Sequence, residues 1–507
     1  MSDIMPGMEP GSIFNFNMLP PETRHQIMQS ILLVIDESPR GETSLTNLVM
    51  VCREWRHFFE PFNFSTITLD NIRVQEMAFM FAIEPYRVRH VRSIRLRVFL
   101  DQAIPEAPEN MKSKPDMVFM KAVKELFDVL SQWDENQNKG IILELLATCD
   151  GDRDALVRFR TKKYQALQLS QYLDQFIPSE QLPTIAASVE ALNSAITQLI
   201  FPIKDYTTTV LPIPAGANTP YGFLPAVPVV KTFAILRHTT HIIGPNLMRL
   251  IFEHSLTSVQ SILHEKWRQL TPTEKQFWGM QYREFLRVLP STLTCLTIFD
   301  EVHGELHIKK CGFLKDIQLG RCIALSTQNL QNMSLSFVVD SEDFFPDRQS
   351  QTIDMFPNLK TLVLTNGTIR PNAQLQVLMA ALSRYAEKII HGMPALRVYE
   401  IWNAGTKFGG VFQYKFDGES TVTIRHKTTW RTQPMDGTFN VWRNILVNME
   451  PPRTLDASMV KVPAPAHYLD FLPELELAAN IMAGISRQNA ANEAFIRELP
   501  VPYYNRH

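Results

Sequence analysis

Cysteine is scarce in this 507-residue chain: five residues, at 52, 149, 295, 311 and 322, an odd number, widely spaced and without a CxxC pair. That pattern argues against a disulfide framework and fits a reducing compartment. No run of about 18 uncharged apolar residues occurs, so no membrane-spanning helix is expected. Met1 to Gly7 carries no basic stretch followed by an apolar run, so no secretory leader is expected. Together these absences point to the cytoplasm or the nucleus. An excess of charge is lacking as well. Lys and Arg number 50 against 52 Asp and Glu, a net of −2, which excludes a generally basic nucleic-acid binder and an acidic tail protein.

Catalytic fingerprints are also missing. There is no GxxxxGK[ST] loop, no Rossmann glycine pattern after a strand, no HExxH and no GxSxG elbow. His303, His307, Cys311 and Cys322 lie close in sequence, but their spacing matches no zinc finger. No metal, no cofactor and no enzymatic activity are expected. Proline is plentiful. Pro202, Pro212, Pro214, Pro220, Pro225 and Pro228 mark 201–228 as an insertion.

What remains is ordinary globular composition, 45% apolar and 20% charged, on a chain longer than one core usually supports. The densest information lies in residues 18–64. Pro20-Pro21 suits a first helical turn, and Glu22 there favours the helix dipole. Ile27, Ile31 and Ile35 recur every fourth residue with Met28 and Leu32 beside them, giving a wide apolar stripe. Ser38-Pro39-Arg40-Gly41 stops that helix. Ser44 can cap a second helix carrying Leu45, Leu48, Val49 and Cys52. A third carries Trp55, Phe58 and Phe59, and 64–69 reads as a strand. So small a unit buries one face against something else.

These residues resemble an F-box of the filamentous-fungal type: Leu19-Pro20-x-Glu22, Ile27 and Leu32, then Leu48-x-x-Val51-Cys52-Arg53-x-Trp55, closing with Phe64-x-x-Ile67-x-Leu69. The resemblance implies docking on the Skp-family adaptor of a cullin-based (SCF) ubiquitin ligase. It assigns the adaptor contact to Leu19, Pro20, Glu22, Ile27 and Ile31, and the packing of the three helices to Leu32, Leu48, Val51, Cys52, Trp55 and Phe58. The alternative is that these helices only cap the domain that follows.

Further along, apolar-x-x-apolar-x-apolar recurs at Val91/Ile94/Leu96, Leu293/Leu296/Ile298, Leu330/Met333/Leu335, Leu359/Leu362/Leu364 and Leu396/Tyr399/Ile401, the last four starting 37, 29 and 37 residues apart. This resembles the leucine-rich-repeat strand signature. Helical stripes lie between, over 118–133, 245–267 and 371–392. Ile141 to Leu146 is a further candidate strand, in a region, 140–290, that fits the repeat poorly. The expected fold is therefore α/β: a three-helix F-box, then an irregular leucine-rich-repeat-like solenoid of parallel strands and outer helices. Val411–Phe416 and Glu419–Ile424 flank Asp417-Gly418, a two-residue hairpin signal, read as a cap on the solenoid. The expected divisions are a disordered tail at 1–14, the F-box at 15–66, the solenoid with its insertion at 67–410, hairpin and cap at 411–480, and a tail at 481–507.

Strand residues between the apolar positions would face the concave side of such a solenoid. They name Arg95, Arg97, Phe299, Thr365, Glu400 and Trp402 as the target-binding set, with exposed Phe299 and Trp402 as anchors. The arginines at 95 and 97 share one strand face, suited to an acidic or phosphorylated peptide or simply solvated. The chain is read as a substrate receptor bridging an adaptor–cullin complex and an unknown target protein, with no nucleic-acid or membrane partner. The rival is a non-catalytic scaffold with no ligase role.

Overall fold

The apolar-x-x-apolar-x-apolar segments become strands, and strands adjacent in sequence are adjacent in space. In this computed structural model the described residues are 16–37, 45–100, 115–148, 224–237, 243–266, 272–300, 316–345, 356–371, 375–405, 407–430 and 435–488. One sheet of twelve strands runs through them in strict chain order. These are β1 (Thr66–Asp70), β2 (Ser93–Phe99), β3 (Ile141–Thr148), β4 (Val230–Ile235), β5 (Ser261–Lys266) and β6 (Cys295–Asp300). They continue as β7 (Asn332–Asp340), β8 (Thr361–Thr365), β9 (Val398–Gly405), β10 (Phe408–Phe416), β11 (Thr421–Thr428) and β12 (Thr454–Lys461). All pairings are parallel except those of β10, which runs against both neighbours.

Backbone hydrogen bonds at the strand entrances explain the strict order. The carbonyls of Ser65, Gln260, Thr294, Gln331 and Lys360 each accept two successive N–H groups from the next strand's first residues, at 2.7 to 3.2 Å. Lead-in turns such as Leu293 N–H to Pro290 O and Leu396 N–H to Met393 O set that entry. Each strand is thus started by its predecessor, which keeps register local.

Helices return the chain between parallel strands, as such crossovers require. They are α4 (Arg73–Ile83), α5 (Pro115–Leu130), α6 (Pro245–His254), α7 (Pro272–Leu286), α8 (Ile317–Ser326), α9 (Ser341–Phe344), α10 (Leu375–Gly392) and α11 (Asp436–Val447). Their apolar stripes and alternate strand residues form one continuous core: Ile94 and Leu96 with Val123 and Phe127, Leu362 and Leu364 with Leu382, Ile424 with Trp442. Ahead of β1 lie α1 (Pro21–Glu37), α2 (Leu45–Val49) and α3 (Arg53–Asn63), and after β12 a short α12 (Ala478–Ile481).

Three expectations are corrected. The stripe at 245–267 is not one helix: α6 ends at His254 and β5 begins at Ser261. Ser255 leaves the helix, its hydroxyl donating to Leu224 O at 3.2 Å. The turn after Phe416 is wider than two residues. Asp417 Oδ1 accepts from the N–H groups of Glu419, Ser420 and Thr421 at 2.8 to 3.1 Å, holding four residues between β10 and β11. Gly418 takes the φ of +99° that this loop needs. And the hairpin is not the sheet's end, because α11 leads on to β12. Strand β7 also carries an irregularity between Leu335 and Asp340, where Phe337 has φ +62°. Most of the proline-rich stretch, the 1–14 tail and His303, His307 and Cys311 lie outside the described residues.

Candidate functional site

Two surfaces concern function: the N-terminal helices and the sheet face opposite the crossover helices. In the first, Met28, Leu48, Val49 and Phe59 are buried, with Phe16, Ile31, Leu32, Leu45, Trp55 and Phe58 packed around them. Ring contacts tie α3 together and to the start of the chain, with Trp55 and Phe59 centroids 5.5 Å apart and Phe16 and Trp55 also 5.5 Å. Arg24 of α1 pairs with Glu54 of α3 at 3.3 Å. The helices are fastened to the sheet by a buried ion pair. Glu60 of α3 receives Arg87 Nε at 2.7 Å and the Tyr86 hydroxyl at 3.1 Å, while the Arg87 guanidinium lies 4.8 Å from the Phe64 ring centroid.

Of the residues assigned to the adaptor contact, Pro20 and Glu22 are exposed and Leu19 and Ile27 half-buried. Ile31 packs on the inner cluster instead of facing outward. Of those assigned to packing, Leu32, Leu48, Trp55 and Phe58 do pack, whereas Val51 and Cys52 do not. Val51 is 58% exposed and Cys52 is exposed at the α3 N-cap. The reason is local: residues 50–52 form the turn between α2 and α3, so the helical spacing that aligned them with Leu48 is broken there. Sequence spacing missed the large exposed apolar residues Met18, Leu33, Val34 and Met50. A signal existed. Ile31 to Ile35 is an unbroken apolar run, and a helix of 3.6 residues per turn cannot turn five successive residues inward.

The second surface is covered. After β12 the chain doubles back as a strap, residues 462–488, across β11 to β5 on the face opposite the crossover helices. Tyr468, Phe471, Leu472, Leu475, Leu477, Ile481 and Met482 of the strap form a second core with Phe299, Phe337, Val363, Trp402, Ala404 and Val411 of the strands. Phe337 meets Trp402 at 4.9 Å and Tyr468 at 5.9 Å. Gly409 is needed there, since a Cβ would sit 2.2 Å from the Phe471 ring.

Polar anchors hold the strap from end to end. Lys427 Nζ donates to Glu474 O at 2.6 Å. The Glu400 carboxylate accepts Glu476 N–H at 2.8 Å, Leu477 N–H at 2.9 Å and the Gln413 amide. Thr297 donates to Asn480 O at 3.0 Å. Glu265 accepts Ala483 N–H at 2.6 Å and Arg237 N–H at 2.9 Å. Burial raises the pKa of both carboxyls against these hydrogen bonds, which pull the other way.

The expected target-binding residues therefore divide. Phe299, Thr365, Glu400 and Trp402 are all buried, Phe299 and Trp402 in the second core, and the expectation of exposed anchors is corrected. Phe299, Trp402 and Glu400 are used by the chain's own C-terminal segment, while the Thr365 hydroxyl accepts from Phe337 N–H at 2.9 Å and donates to Val339 O of β7. Arg95 and Arg97 do share a face beyond the strap's reach. Arg95 is half-buried on Glu144 at 2.8 Å, and Arg97 is exposed. With seven large apolar side chains in the second core and polar anchors running from Lys427 to Glu265, the strap is packed as core and not as a lid.

Among the described residues no group of His, Cys, Asp and Glu could hold a metal ion, and no helix is long and apolar enough to cross a membrane. Residues 288–483 are similar to DUF6546, a family of unknown function. That stretch begins just before β6 and ends within the strap, so it spans both sides of the second core. No curated protein matches the chain.

Proposed function

We propose that the chain is a non-catalytic receptor subunit of an SCF-type ubiquitin ligase. Helices α1–α3 dock on a Skp-family adaptor, and the α/β body carries a target protein. The observation that carries this reading is the N-terminal helical unit itself: a small aromatic core behind the Leu19-Pro20-x-Glu22 and Val51-Cys52-Arg53-x-Trp55 pattern, with Met18, Leu33, Val34, Met50 and Val51 left between 58% and 82% exposed. Scattered apolar residues are common on surfaces, but five on so small a unit fit a face made for a partner. Strand–helix alternation in chain order supports a leucine-rich-repeat-like solenoid as the body. Its role is to raise the local concentration of a bound target near the conjugating enzyme, which needs no chemistry of its own.

Co-purification of the full chain with the adaptor tests the reading. Loss of adaptor with Leu19→Asp and Pro20→Ala together, the body staying folded, is the expected result; undiminished binding refutes the docking assignment. The Glu60–Arg87 pair favours a second reading, in which α1–α3 only cap the sheet of a scaffold protein. In that case removing residues 1–64 unfolds the rest and no adaptor binds.

A further inference from the structure

β12 is the last strand of the sheet, and among the described residues only β11 pairs with it. Thr454 N–H bonds to Ser420 O at 2.8 Å and Val462 N–H to Thr428 O at 2.9 Å, so the even-numbered residues turn their backbone groups toward β11. By strand alternation Leu455, Ala457, Met459 and Lys461 turn theirs outward. The edge is eight residues long against the five of β1 at the other end, and neither proline nor a bulge interrupts it.

Two charges decide what fits beside it. Arg425 is in register with Ser458 and Asp456 with Thr423, which puts both on the face turned away from the crossover helices. Both are exposed, and neither has an ion-pair partner among the described residues. An acidic strand laid along the edge would stand beside Asp456, and a basic one beside Arg425. What suits the edge is a strand bringing both signs in the reverse order. A second copy of β12, antiparallel about a two-fold axis, does so, because such an axis joins each face of the sheet to its like. With Ala457 opposite its own equivalent, Asp456 falls opposite Ser458 of the copy. Arg425 of the copy lies one strand beyond, and the small serine leaves its path to Asp456 clear. On the other face Leu455 falls opposite Met459 of the copy. Leu455, Ala457 and Met459 lie against the main core but are only half-buried, so each copy completes the cover of the other. At the ends of the overlap Lys461 faces Arg453, whose guanidinium is held 3.8 Å over the Phe416 ring.

We propose that the chain forms a two-fold dimer through β12, joining the two sheets edge to edge. The outward N–H and C=O groups of Leu455, Ala457 and Met459 supply the ladder, and Arg425 of each copy pairs with Asp456 of the other. This pairing does not depend on what α1–α3 bind.

The test uses the full-length protein, with mass read by sedimentation across a concentration series and amide exchange at its two ends. A reversible dimer is expected, with protection of the amides of Leu455, Ala457, Met459 and Lys461 rising as it forms. Arg425→Asp or Asp456→Arg alone should raise the dissociation constant at least about tenfold, because both symmetry-related pairs turn repulsive. The double exchange, Arg425→Asp with Asp456→Arg, should restore it. Ala457→Pro removes an outward N–H, which an edge strand tolerates, and should give a monomer with an unchanged melting temperature. A monomer at every concentration overturns the proposal. So does a dimer that leaves those amides unprotected, that survives Ala457→Pro, or that the double exchange fails to restore. A monomer in which the four amides are already protected assigns the edge to another segment and overturns it too.

Discussion

Phe471→Ala is the sharpest probe of whether the strap belongs to the core. The Phe471 ring is fully buried between the Gly409 backbone and the second-core residues. Truncating a buried Phe to Ala costs about 3–5 kcal/mol, the removed transfer energy plus a cavity term that grows where neighbours cannot collapse. Collapse is restricted here, because Gly409 is held in a ladder with Ala404 and the strap is pinned on both sides of residue 471, by Lys407 N–H to Pro465 O at 3.0 Å and by Glu400. The upper half of that range is therefore expected. Urea unfolding should show a lower midpoint, and native-state hydrogen exchange should show the amides of Glu476, Leu477 and Ala483 opening only with β9 and β10. A separable lid behaves differently. Its amides exchange early in the unmodified protein, and Phe471→Ala then frees the strap without moving the global midpoint. That pair of results would refute the reasoning that closed this face to a target.

Glu60→Ala removes one of the two carboxylates on Arg87, Glu84 remaining, and also the acceptor of the Tyr86 hydroxyl, so about 1–3 kcal/mol of stability should be lost by chemical denaturation. Glu60→Gln keeps one acceptor and should cost less. His426 is buried on β11 with neither ring nitrogen hydrogen-bonded, and burial pushes its pKa down to about 4. The proton then favours the unfolded chain. Stability attributable to this group is intact above the ordinary histidine pKa of about 6.5 and falls as pH drops from there toward 4, by about 3 kcal/mol at the end of that window. Glu265 and Glu400, with raised pKa values, act in the opposite sense as they protonate. The difference between the stability curves of the unmodified protein and His426→Leu isolates the histidine: the variant should lack that acid-side loss, and parallel curves between pH 4 and 6.5 would count against it.

Much of the strand order was legible because it rests on local pattern. An apolar-x-x-apolar-x-apolar run between a proline-led turn and a helical stripe makes a parallel strand wherever its predecessor supplies a carbonyl to start it, as Thr294 does for β7 and Lys360 for β9. β4 and β5 escaped. Phe233 and Ile262 occupy the same core positions, but no repeated lead-in announces them and Ser255 hides the break after α6. The N-terminal helices were legible in outline, from the spacing of Met28, Leu32, Leu48 and Phe59. Val51 and Cys52 were misassigned because a turn resets helical phase, which spacing alone does not reveal.

By itself, then, the sequence determined which residues lie on which side of each strand, since side-chain alternation with period two is a property of the strand alone. Phe299, Val363, Glu400 and Trp402 do face away from the crossover helices, as their positions require. Whether that side meets water was decided only by tertiary structure. A segment 76 residues further along the chain returns over it, and Glu400 exchanges an exposed role for two N–H groups of residues 476 and 477. Nothing in a local window encodes such a return: burial depends on what the rest of the chain covers.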